Sequence, residues 1–128
     1  MRFWVPGPLP GMNEIVAAAK VGGKGHAYSA MKSKWTNLVK LNALAARIPK
    51  GQFTKVRLHM LWSEKEKSNG AQRDPDNIEA GQKFIWDGLV EAGILPNDKR
   101  ANNAGSTHSH AIGPLAGVEV MIEDVSNG

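Results

Sequence analysis

Hydrophobic and polar positions follow two different periods along this chain. Val56, Leu58, Met60 and Trp62 alternate with basic Lys55, Arg57 and His59, which predicts a half-buried strand over 53–62 with a basic outer face. Val118, Val120 and Ile122 alternate in the same way with Glu119, Met121 and Glu123 and predict a final strand. A short strand is expected over 2–5, closed by Pro6-Gly7-Pro8. Elsewhere the period is helical. Met31, Trp35, Leu38, Leu41, Leu44 and Ile48 form a broad apolar stripe, predicting a helix over 29–47 that Pro49-Lys50-Gly51 ends, with Trp35 in the core. Ile78, Gln82, Ile85, Leu89 and Ala92 predict a second helix over 77–92, stopped by Gly93. Residues 6–27 read as loop with a short helical turn over 14–19, and 63–75 as a polar loop. Residues 104–112 are weakly patterned. The order β-α-β-α-β-β implies one domain over 1–128, of α/β (α+β) class, with a mixed β-sheet and flanking helices.

Composition narrows the chemistry. The chain of 128 residues has no cysteine, which excludes disulfides, thiolate metal sites and a cysteine nucleophile. It also suits a reducing, cytoplasmic compartment. No apolar run approaches the ~18 residues of a membrane span, and Met1-Arg2-Phe3-Trp4 is not followed by a signal-peptide core. The net charge of +4 is unevenly placed: residues 1–50 hold eight basic residues and one acid, whereas 51–128 hold eight basic and eleven acidic residues. A basic part of this kind suggests a polyanionic partner, nucleic acid first. Lys20, Lys24, His26, Lys32 and Lys34 are its candidate phosphate contacts, joined by Arg73. The stretch 21–26 lacks the spacing of a nucleotide-binding P-loop.

The acidic part holds the candidate site. In Arg73-Asp74-Pro75-Asp76-Asn77, the proline holds two carboxylates in an extended arrangement. Like charges so close call for a cation, and hard oxygen donors select Mg²⁺ or Mn²⁺. Asp98 supplies a third carboxylate after the second helix. A straight helix of about 16 residues carries the chain about 24 Å, too far for Asp98 to meet Asp76. Either a strand brings the chain back, or the helix is shorter. A structural reading stands beside this one: Asp76-Asn77-Ile78-Glu79 matches a capping box, and Asp98 is a turn residue. Lys83 and Asp87 stand at helix-pair spacing, and His108 with His110 would place two imidazoles on one strand face, a zinc half-site or solvent-exposed histidines. Trp86 is a candidate for a dimer interface.

The set Asp74-x-Asp76-Asn77, Lys83-Phe-Ile-Trp-Asp87-Gly-Leu89, Gly93 and Asn97-Asp98 resembles the RusA family of Holliday-junction resolvases. The proline-rich opening from Val5 to Asn13 is similar to that family's as well. The resemblance implies a small α/β domain working as a homodimer, which cuts four-way DNA junctions by paired symmetric nicks using Mg²⁺ or Mn²⁺. It implies that Asp74, Asp76 and Asp98 are catalytic metal ligands and that Lys83 is the essential lysine. Three features depart from the family pattern. Asn97 stands where the family usually has Asp. Lys83 follows Asp76 by seven residues where four is usual, with Ala80 at the usual offset. Those offsets differ by about 60° on a helix and so share a face. The apolar strand expected after Asp98 is missing from 99–110. The alternatives are a non-catalytic DNA-binding module with a decayed nuclease site, and a metal-dependent phosphohydrolase acting on small esters.

Overall fold

In a computed structural model, which describes residues 1–21 and 25–126, the chain forms four strands and four helices. They run β1 (Arg2–Pro6), α1 (Met12–Lys20), α2 (His26–Ala45), β2 (Val56–Lys65), α3 (Pro75–Glu79), α4 (Gln82–Glu91), β3 (Asn103–Gly113) and β4 (Gly117–Asp124). The sheet order is β1-β4-β2-β3, with β4 antiparallel to both neighbours and β3 parallel to β2. This is the expected mixed sheet of an α+β fold. Among the described residues no helix is long and apolar enough to cross a membrane.

One sheet face carries the core. Phe3 and Val5 of β1, the alternating Val56, Leu58, Met60 and Trp62 of β2, and Val118, Val120 and Ile122 of β4 are buried with Val39 of α2 and Phe84, Ile85, Trp86 and Leu89 of α4. Trp86, expected at a dimer interface, is therefore a core residue at 5% exposure. Trp35 packs partly buried against this core, as expected. The helices α2 and α4 meet closely at Gly88, where a Cβ would stand 2.5 Å from Val39 Cγ1. The opposite sheet face carries Arg57 and His59 as expected, but it is not a free basic surface. Arg57 lies 3.4 Å and His59 2.7 Å from Glu123, and Arg2 lies 3.4 Å from Glu119.

The element boundaries differ from expectation for local reasons. The turn expected over 14–19 is a full helix, α1. Helix α2 begins at His26 and ends before Pro49. Arg47 adopts a left-handed φ of 62°, while the Ile48 N–H donates to the Ala43 carbonyl, a Schellman closure without glycine. The predicted helix over 77–92 is two helices. The chain breaks at Ala80-Gly81, where a Cβ on Gly81 would lie 3.2 Å from the Pro10 carbonyl. Gly93 ends α4 with φ 76°, as expected. The weakly patterned 104–112 forms β3, an edge strand along the whole of β2. Its core-side residues are polar and paired: Ser106, His108 and His110 stand opposite Leu58, Met60 and Trp62. An apolar alternation cannot reveal a strand whose inner positions are satisfied by hydrogen bonds.

Candidate functional site

Pro75 organises the acidic segment. It occupies the first turn of α3, and Asp74 before it is extended, with φ −68° and ψ 146°, as the residue preceding proline must be. Asp74 is thus the N-cap residue, yet its side chain makes no capping hydrogen bond. Asp76 is inside the helix, so the capping box expected at 76–79 does not form. Among the described residues its Oδ1 accepts only the N–H of neighbouring Asn77, at 3.1 Å. Neither carboxylate forms an ion pair among the described residues.

The residues around them are held firmly. Asn77 Oδ1 accepts the Asn13 N–H at 3.0 Å, which seats the start of α1 on the Asp-Pro-Asp-Asn turn. Gly11 makes this approach possible, since a Cβ there would lie 2.7 Å from Asn77 Oδ1. Arg73 locks the other side. Its Nε and Nη2 donate to the two oxygens of Glu64 at 2.7 and 3.0 Å, and its Nη1 donates to the Leu9 carbonyl at 3.0 Å. Arg73, expected to contact DNA, is instead an internal clamp between β2, the proline-rich opening and the acidic turn. The result is an open cleft of about 520 Å³ lined by Met12, Asn13, Gln72, Arg73, Asp74, Asp76 and Asn77.

Asp98 lies in a second cleft, of about 470 Å³, with Lys32, Gln82, Lys83, Trp86, Asp87 and Asn103. Its turn is closed by Asn97, whose Oδ1 accepts the N–H groups of Asp98 and Lys99 at 2.8 and 3.2 Å. This is an Asx-turn, which asparagine forms as well as aspartate would. The break at Gly81 shortens the second helix to ten residues, about 15 Å. The expected ligand set is nevertheless divided, with Asp74 and Asp76 in one cleft and Asp98 in another. Among the described residues no group of three His, Asp or Glu side chains is placed to hold one metal ion. The first cleft still has the donor chemistry for a hard cation. Two carboxylates are flanked by the side-chain amides of Asn13, Gln72 and Asn77, and Mg²⁺ is commonly bound through one or two carboxylates with waters completing its shell.

Lys83 and Asp87 do not pair with each other. The Lys83 ammonium donates to the Tyr28 hydroxyl and sits 4.9 Å from that ring's centroid, while Asp87 lies 3.9 Å from Lys32. The predicted basic contacts are scattered. Lys32 lines the second cleft, whereas Lys34 lies over the Trp35 ring at 5.2 Å. Two residues apart on a helix, they point about 160° apart. Lys20 and His26 are exposed at the end of α1 and the start of α2, and Lys24 lies outside the described residues. The histidines of β3 are engaged within the fold. His108 Nδ1 accepts the Trp62 indole N–H at 3.0 Å, and burial lowers its pKa, opposed by nearby Glu79 and assisted by His110. His110 Nε2 lies 2.6 Å from Glu79. Sequence patterning gave no sign of Glu64, Tyr28 or Glu79 in these roles, because each acts through a partner outside its own element, 9, 55 and 31 residues away respectively. No family model matches this chain, and no curated protein matches it.

Proposed function

We propose that the chain is a RusA-like endonuclease that resolves four-way DNA junctions in a metal-dependent reaction. The observation that carries the reading is the state of Asp74 and Asp76: two exposed carboxylates in one cleft, neither capping a helix nor, among the described residues, paired with a cation. Holding like charges together without a partner is unfavourable unless a ligand offsets it. Asp74 and Asp76 would hold Mg²⁺ or Mn²⁺, with amide oxygens of the same cleft and water as further donors. Bound there, the ion supplies an activated water and offsets charge on the scissile phosphate. Lys83 and Asp98, in the second cleft, act on the same phosphodiester: the ammonium stabilises the leaving oxygen and the carboxylate orients the attacking water. Lys20, His26, Lys32 and Lys34 contact backbone phosphates of separate junction arms, in keeping with their spread positions, and Lys24 is assigned the same role from the sequence alone. Paired nicks in two strands require two such sites, hence a homodimer. The proposed compartment is the cytoplasm, whose reducing conditions suit a chain without cysteine.

The test is incubation with Mg²⁺ and a labelled four-way junction beside a linear duplex of the same sequence. Symmetric paired nicks in the junction alone, lost in Asp76→Asn while its melting temperature holds, are expected. Tight junction binding without nicks, equal in wild type and Asp76→Asn, would establish a non-catalytic DNA-binding module instead.

A further inference from the structure

The second cleft holds two lysines and two aspartates, and electrostatics alone would pair them off. Only one pair forms: Lys32 lies 3.9 Å from Asp87. Lys83 and Asp98 line the same cleft without an ion pair between them among the described residues. Lys83 is instead held by Tyr28, from the first turn of α2, which receives its N–H at the hydroxyl and lies with its ring 4.9 Å from the ammonium. A phenol hydroxyl is a neutral acceptor, so its hydrogen bond to the ammonium leaves the net charge intact. A carboxylate partner would cancel that charge.

We propose that Tyr28 is the positioning residue of Lys83, holding its ammonium in the second cleft, charged and apart from Asp98. The lysine thus remains a full positive charge for a phosphate oxygen, and Asp98 remains an open carboxylate. Because Lys83 is exposed and flexible, its place is set by this contact and not by packing. The inference rests on the reading of these clefts as a phosphodiester-cleaving site. It also explains how a lysine at a shifted helix offset is given a defined position: α2, and not the spacing along α4, locates it.

The experiment compares wild type, Tyr28→Phe and Tyr28→Leu by NMR of the lysine side chains and by single-turnover junction nicking. In wild type the hydroxyl slows exchange of the Lys83 ammonium protons with water, and this slowing is lost in both Tyr28→Phe and Tyr28→Leu. Nicking is expected to slow about tenfold in Tyr28→Leu, with junction affinity unchanged, from the loss of a hydrogen bond to a charged group. In a Lys83→Gln background, Tyr28→Leu should slow nicking no further, an interaction that a merely structural role would not produce. Identical Lys83 signals in wild type and Tyr28→Leu, or full additivity of the two substitutions, would overturn the proposal. A wild type that makes no nicks refutes the nuclease reading, and the NMR comparison then decides by itself whether Tyr28 holds Lys83.

Discussion

Replacing Arg73 by alanine separates its role inside the fold from a role on DNA. The guanidinium and the Glu64 carboxylate are each 14% exposed and share two hydrogen bonds of 2.7 and 3.0 Å. Removing one partner of a buried pair costs about 3–5 kcal/mol, because the other is left charged and unpaired. Both groups retain some contact with water, which places Arg73→Ala at the lower end, about 3 kcal/mol. The Leu9 carbonyl also loses its donor, whereas the 3.4 Å contact with half-exposed Glu14 contributes nothing measurable. At about 4 °C per kcal/mol for a domain of this size, the melting temperature falls by about 12 °C. Urea unfolding measures the loss directly. The double variant Arg73→Met, Glu64→Leu should recover most of it, since an apolar pair leaves no stranded charge. In junction-binding titrations at a temperature where the variant is folded, the salt dependence should match wild type. A lost phosphate contact would instead reduce the log–log slope by about 0.9. A stability loss under about 1 kcal/mol, a double variant worse than the single one, or a reduced slope would each refute the clamp.

Three further outcomes are expected. Gly88→Ala should destabilise by about 2 kcal/mol in urea unfolding, since its Cβ would stand 2.5 and 2.6 Å from Val39 Cγ1 and Cβ. The helix-propensity gain of about 1 kcal/mol is too small to offset that overlap, so a net gain in stability would refute the close α2–α4 contact. For His108, burial lowers the folded-state pKa below that of the unfolded chain, so the unfolded chain binds the proton more readily. Stability is therefore lost as pH falls through about 6.5, and the Trp62–His108 bond is lost on protonation. His108→Gln should flatten that slope, and an equal slope in both proteins would refute the assignment. Asp74→Asn and Asp76→Asn should each stay within about 0.5 kcal/mol of wild type in urea unfolding, since neither carboxylate has a cation to lose. A larger loss would show that the pair supports the fold.

The alternations at Val56–Trp62 and Val118–Ile122 were legible because burial of one face imposes a period on the chain itself. The α2 stripe was legible in part: Met31, Trp35, Leu38 and Leu44 pack against the core, whereas Leu41 is 52% exposed and the buried positions are Thr36, Val39 and Ala43. The acidic turn was legible for a similar reason, since Pro75 dictates the conformation of Asp74 from one residue away. What the sequence could not settle was anything decided by partners far along the chain. Strand β3 is hidden because its inner residues are Ser106, His108 and His110, satisfied by Gln82, Trp62 and Glu79 and not by apolar contact. The break at Gly81 follows from the approach of the Pro10 carbonyl, and Arg73 is withdrawn from the surface by Glu64 on β2. Residue types and spacing by themselves determined a mixed-sheet domain with a cysteine-free, oxygen-rich acidic segment. Only the tertiary structure decided that Asp74 and Asp76 share one cleft, that Asp98 and Lys83 share another, and that Tyr28 meets Lys83. Local backbone rules act within a few residues, whereas a site is assembled by packing, which no spacing along the chain records.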